Sequence, residues 1–182
     1  DIRPGEPFSA ERINDLHQVL AGSSYFRSVS IVTEPLDENA RTVPVRVNLT
    51  PAKRRLFSAG GGFTTDMGPH VRFGYANRRR NDRGHQFESR LYLSEVDSEL
   101  NTAYRWPRRD PRSDWYSVVG SAQHKETDTS EFDKVTLGVL RTEQLGRSWL
   151  ETRYINYEWE DYEVGDQADT SRLLIIGSYW EK

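Results

Sequence analysis

The 182 residues contain no cysteine, which excludes disulfides and thiolate metal sites. Long apolar runs are missing too. No stretch reaches the ~18 consecutive apolar residues of a membrane-spanning helix, and hydrophobic residues make up only 35% of the chain. Neither sign of charge dominates. The formal net charge is -3, so the chain as a whole offers no case for nucleic acid. The four histidines, His17, His70, His85 and His124, are scattered and share no metal-ligand spacing. Gly60, Gly61 and Gly62 lack the following helix of a dinucleotide loop. The acidic run at 126–133 lacks the ligand spacing of a calcium loop and reads as solvated. No serine, histidine or carboxylate grouping has the pattern of an active site. No enzyme activity, metal or cofactor is expected. No signal peptide is visible, and the chain opens in mid-pattern, as a piece of a longer protein would.

Alternation is what the sequence does have. In 68–93, Val71, Phe73 and Tyr75 alternate with His70, Arg72 and Gly74. A turn carrying Arg78, Arg79, Arg80, Arg83 and Gly84 follows. Alternation then resumes with Phe87, Leu91 and Leu93 against Glu88, Arg90 and Tyr92. A period of two marks strands with one apolar and one polar face. From residue 56 onward this unit repeats, giving eight expected strands at about 57–65, 69–77, 85–94, 99–106, 115–125, 132–142, 148–159 and 171–180. Most have the roughly 9–11 residues that a tilted strand needs to cross a bilayer. The seventh is the least clean, because Glu151 and Arg153 share a face with Trp149 and Ile155.

The connections separate by charge. In an up-and-down meander, those at 78–84, 107–114 and 141–147 share one end and are rich in arginine. Those at 64–68, 94–99, 126–133 and 160–169 share the other end and are acidic. Trp106, Trp115, Trp149 and Trp180 fall at the basic end, and Trp159 at the acidic end beside Tyr157 and Tyr162. Amphipathic rings at strand ends are what an interfacial girdle of a membrane barrel requires. The arginine turn reads as facing phosphate headgroups.

Residues 1–52 differ. Ser9 is a candidate helix N-cap with Glu6 and Glu11 nearby. Ile13, Leu16, Val19 and Leu20 have helical spacing, and Gly22 ends the helix. Two alternating strands follow, one through Val29, Ile31 and Thr33 and one through Val43, Val45, Val47 and Leu49, with a polar turn at 35–41 between them.

These residues also carry a family resemblance. The run Phe63, Thr64, Thr65, Asp66, Gly68, Arg72, Gly74, Tyr75, Asn77, Arg78, Arg79, Asn81, Gly84, His85 and Glu88 resembles the TamA family, the outer-membrane subunits of the translocation and assembly module. The likeness continues at Ala103, Tyr104, Arg105, Pro107, Asp114, Trp115, Thr127, Asp128 and Thr129. Upstream, Gly5, Glu6, Pro7, Phe8, Tyr25, Phe26, Val43, Pro44 and Val45 look like the end of a polypeptide-transport-associated (POTRA) domain.

The resemblance implies that 1–52 is the C-terminal part of the last POTRA domain, in the periplasm. It implies that 53–182 is the N-terminal half of a sixteen-stranded barrel in the outer membrane of a Gram-negative bacterium. It also implies a TamB-like inner-membrane-anchored partner, clients that are nascent outer-membrane proteins such as autotransporters, and contact with outer-membrane lipids. The turn residues Tyr75, Asn77, Arg78, Arg79, Asn81, Gly84 and His85 are its signature. Phe57, Ser58, Ala59, Gly60, Gly61, Gly62 and Phe63 would form a weak first strand that acts as a lateral gate. The arginine–glycine–aromatic motif of the family's inward-folded loop is absent from this sequence. Two other readings remain open at this point: a closed eight-stranded passive barrel, and a soluble barrel that binds an apolar ligand.

Overall fold

The structure, a computed structural model, describes residues 5–23, 25–35, 42–108, 110, 113–146, 148–165 and 167–182. The expected turn at 35–41 falls mostly outside them, as do Arg109, Arg112, Arg147 and Asp166 of the charged connections. The chain divides into two compact units, Asp1–Arg54 and Arg55–Lys182.

In the first unit, α1 (Ala10–Gly22) starts at Ser9, whose side chain accepts from the Arg12 amide at 3.4 Å. Ile13, Leu16 and Leu20 fall on one side of the helix and are half-buried, and α1 lies against β1. The helix ends at Ser23, which bonds back to the Leu20 carbonyl through both its amide and its hydroxyl. β1 (Phe26–Thr33) and β2 (Val45–Pro51) pair antiparallel, with Ile31 opposite Val47 and Val29 opposite Leu49. No helix among the described residues is long and apolar enough to cross a membrane.

The second unit is one antiparallel sheet. It contains β3 (Arg55–Thr64), β4 (Gly68–Asn77), β5 (Gln86–Ser94), β6 (Asp97–Pro107), β7 (Asp114–Thr127), β8 (Ser130–Leu145), β9 (Trp149–Val164) and β10 (Gln167–Glu181). Spatial order follows chain order from β3 to β10. Each hairpin therefore places the next strand beside the last, and the polar turns alternate between two ends. β3 and β10 do not pair. The sheet is unclosed, which sets aside both the closed eight-stranded barrel and the closed ligand-binding barrel.

The later strands are longer than expected. β8 and β9 have 16 residues each and β10 has 15. The acidic connections at 126–133 and 160–169 are mostly strand, not loop. Glu131 and Asp133 belong to β8, Glu160, Asp161 and Glu163 to β9, and Asp169 to β10. They pair directly across the ladder, Asp133 with Asp161 and Glu131 with Glu163. The turn at 128–129 is correspondingly tight. Aqueous strands can be polar on both faces, so alternation fades there while backbone pairing continues.

Candidate functional site

No apolar side chain among the described residues of either unit is buried, whereas Ser117, Thr142, Glu151 and Thr152 are. This inverts the usual order of a soluble domain, in which apolar residues fill the interior. The inversion is clearest on β8 and β9. Val135, Leu137, Val139, Ile155 and Tyr157 are exposed, while Thr136, Gly138, Leu140, Tyr154 and Asn156 between them are half-buried or buried. Successive side chains of a strand point to opposite faces. The sheet thus has an apolar outer face and a more sheltered polar face.

Register carries the outer face across the sheet. Phe57 lies opposite Tyr75, Phe73 opposite Leu91, Leu91 opposite Leu100, Val118 opposite Val139, Val139 opposite Ile155 and Ile155 opposite Ile176. Charge bounds this face on β8 and β9. Asp133 and Asp161 pair at one limit, and Arg141 and Arg153 pair at the other. Eight positions separate the limits on each strand, about 27 Å along the chain. That is the scale of the roughly 25 Å apolar band of an outer-membrane barrel.

Rings line the basic end of the outer face. Phe57, Tyr75 and Phe87 stack in sequence with centroids 5.0 and 6.0 Å apart. His85, Tyr104, Trp106 and Tyr116 continue the row at 5.7, 6.1 and 5.8 Å. Trp149 and Trp180 lie on the same face by alternation and are exposed. Trp115 is not in this row, contrary to expectation. Its neighbour Tyr116 takes the outer position, so Trp115 falls on the sheltered face, where the Arg105 guanidinium lies 4.6 Å from its ring centre. Tyrosines and phenylalanines that tryptophan spacing did not reveal supply most of the row.

Below the row, Glu151 and Arg153 join a charge network on the outer face. Arg141 pairs with Asp114 and with Glu143 at 3.1 Å. Arg153 reaches Glu143 at 3.4 Å and Glu151 at 2.5 Å. Arg141 also stacks on Tyr116 at 4.7 Å. The seventh expected strand looks irregular in sequence because it crosses this network.

The signature turn is a fastening. Asn77 is only 8% exposed, and its side-chain oxygen accepts from the Arg79 amide at 3.3 Å. The Asn81 side-chain oxygen accepts from the amides of Arg83 and His85, both at 3.1 Å. Gly84 adopts φ 75°, a conformation that disfavours side chains. The His85 ring nitrogen meets the Tyr104 hydroxyl at 2.8 Å. Arg78 and Arg79 follow Asn77 along the turn.

The first strand, β3, pairs with β4 along its whole length, from Arg55 opposite Asn77 to Thr64 opposite Gly68. Among the described residues, its other edge pairs with no strand of the sheet. Phe57 and Phe63 are each 72% exposed on the outer face. The three glycines are not equivalent. A Cβ on Gly60 would meet nothing within 4 Å, and one on Gly61 only ordinary contacts from 3.5 Å. A Cβ on Gly62 would press on the His70 imidazole at 2.7 Å. Gly62 is therefore a close-approach position, while Gly60 and Gly61 simply lack side chains. Ser58 and Ala59 complete the strand between the outer rings and the sheltered face.

The sheltered face is the more polar one. A groove of about 620 Å³ crosses β3 to β6 and includes Leu56, Ser58, Arg72, Arg90, Tyr92 and Asn101. Lys134 bridges Glu158 at 2.9 Å and Glu160 at 2.7 Å. At the acidic end of the outer face, His124, Glu131 and Asp133 bring ligand atoms within 4.8 Å of one another. Sequence spacing does not disclose this grouping, because it comes from the hairpin register that sets His124 opposite Asp133. The pair hydrogen-bonds at 2.9 Å, and the geometry alone assigns it no ion.

No family model matches the chain. An 80-residue stretch, 43% of the chain, is 31% identical to neurofascin from Gallus gallus but spans only 6% of that protein. So short a share shows no family. Among solved structures, BamA from Haemophilus ducreyi lacking POTRA domains 1–3 matches with a TM-score of 0.67 at 7% identity. The match covers 99% of this chain and 39% of that one. The likeness is one of fold.

Proposed function

We propose that the chain belongs to an outer-membrane assembly factor of the TamA type, which helps insert or translocate other outer-membrane proteins, autotransporters among them. The observation that carries this reading is the inverted sheet, apolar on its exposed face, polar on its sheltered face and open at both edges. Such a face is stable against acyl chains, because lipid is as apolar as the side chains it meets. The BamA-like fold supports the class of barrel. The residues of the signature turn support the narrower TamA assignment.

In this reading β3 is the gate strand. Its free edge presents backbone donors and acceptors in a row, and an incoming client strand adds there by backbone pairing. Gly60 and Gly61 keep that edge weak, since glycine loses more conformational freedom on ordering than other residues and packs nothing. The N-terminal unit, read as POTRA, guides nascent chains or docks the TamB-like partner from the periplasm. The protein acts by templating, without covalent chemistry and without nucleic acid.

Valine at positions 60 and 61 tests the gate. Both sites have room for the side chain, so the fold should survive while the strand stiffens. In the intact protein, Gly60→Val with Gly61→Val should lower the outer-membrane level of client proteins while leaving the barrel's own abundance and heat-shifted gel mobility unchanged. Client levels equal to wild type would remove the gate. Gly62 is left intact in this test, because its substitution disturbs His70 irrespective of any gate.

A further inference from the structure

The 78–85 turn keeps its backbone in place with uncharged groups and sends its charged ones outward. Beyond the Asn77 and Asn81 bonds described above, the Arg80 amide donates to the His85 carbonyl at 2.6 Å and the Gly84 amide to the Asn81 carbonyl at 3.1 Å. None of these bonds uses a guanidinium. Arg79, Arg80 and Arg83 are exposed. The one acid of the turn, Asp82, touches Arg79 at 3.5 Å with its side chain fully in solvent, an exposed pair of little consequence. The turn carries a single acid, Asp82, against Arg78, Arg79, Arg80 and Arg83.

Their position identifies the partner. The Arg80 guanidinium lies 5.8 Å from the centre of the Tyr104 ring. Tyr104 belongs to the aromatic row of the outer face, beside Trp106 and Tyr116. In the next turn, Arg108 lies 5.6 Å from the Tyr116 ring. Cations thus cap the aromatic row on the apolar side of the sheet. By contrast, Arg72 and Arg90 line the groove of the sheltered face, where no acyl chain reaches. A soluble acidic partner would need no aromatic row and no adjoining apolar band.

We propose that the 78–85 turn is a headgroup site for an anionic phospholipid, with Arg79, Arg80 and Arg83 as its cations. The site rests on the membrane reading above. It selects a phospholipid with net negative charge over a zwitterionic one, because guanidinium forks pair with phosphate and no trimethylammonium group stands between them.

The test uses the intact protein inserted into vesicles of phosphatidylcholine, with or without phosphatidylglycerol. An unboiled gel reports insertion. Mass analysis of co-purified lipid reports the ratio of phosphatidylglycerol to phosphatidylcholine retained. Wild type should enrich phosphatidylglycerol over the bulk vesicle. Replacing Arg79, Arg80 and Arg83 by glutamine should reduce that enrichment at least about tenfold with insertion intact. Arg80→Gln alone should give a smaller loss in the same direction and keeps the test decisive if the triple variant inserts poorly. Arg90→Gln, which removes the same charge from the sheltered face, should change nothing.

Equal enrichment in wild type and the arginine variants would overturn the proposal, as would an equal loss with Arg90→Gln. Displacement of the retained lipid by inorganic phosphate would also overturn it, since the turn would then read free phosphate and not a lipid. If wild type inserts into neither vesicle, the membrane reading itself fails and takes this site with it.

Discussion

Leu137→Arg should destabilise the protein in a bilayer by about 2–4 kcal/mol, and Thr136→Arg by next to nothing. Adjacent residues of β8 thus report opposite faces. Leu137 is 58% exposed, midway between the charged limits at Asp133 and Arg141. On the proposed membrane reading, an arginine there replaces contact with acyl chains by a guanidinium in hydrocarbon. Thr136 faces the sheltered side, opposite Ser121 and Glu158, where an added cation finds water and a carboxylate. Urea unfolding in vesicles, followed by tryptophan fluorescence, measures both. A soluble protein with the same fold would show the two variants alike, both mild, because Leu137 already lies on its surface. That outcome would overturn the assignment of the outer face to lipid.

Arg141→Ala should cost about 2–3 kcal/mol. Breaking a fully buried ion pair costs roughly 3–5 kcal/mol, and the value is discounted here because Arg141 and Asp114 keep 18% and 16% of their side-chain surface exposed. Arg141 pairs with two carboxylates and donates to the carbonyls of Trp115 at 3.3 Å and Thr142 at 2.7 Å. Its loss leaves Asp114 without its partner at the border of the apolar band and transfers Glu143 to Arg153 alone. Arg141→Lys should recover part of the loss, since an ammonium keeps the charge but cannot span several acceptors as the planar guanidinium does. The same unfolding experiment decides. An Arg141→Ala variant within about 0.5 kcal/mol of wild type would show the network to be a solvated surface cluster.

Strand number and order were legible in the sequence because alternation survives wherever one face of the sheet is apolar and the other polar. Val71, Phe73 and Tyr75 display it, as do Val135, Leu137 and Val139. Where both faces are polar the signal vanishes, and the acidic ends of β8, β9 and β10 read as loops in the sequence. Asp161, Tyr162 and Glu163 read as solvent-facing, which they are, but solvation does not interrupt a ladder. The face of Trp115 was illegible for another reason. Trp115 and Tyr116 are consecutive, so only one can point outward, and the choice depends on phase relative to Ser117 and Val118. The split among Gly60, Gly61 and Gly62 depends on where the His70 ring lies, a cross-strand contact that no local pattern records. The acid–histidine grouping at His124 likewise depends on hairpin register. The fastening roles of Asn77, Asn81 and Gly84 had a readable signal, since asparagine and glycine are the residues that bond to and relax tight turns.

The same alternation has a consequence for the chain before it folds. Its apolar residues come mostly singly or in pairs, separated by polar ones, so no segment is greasy enough to lodge as a helix in a bilayer. The apolar surface of the outer face does not exist until strands form, because only the extended backbone gathers every second side chain onto one surface. Stickiness is thus postponed to the moment of folding, and the unfolded chain presents no continuous apolar surface.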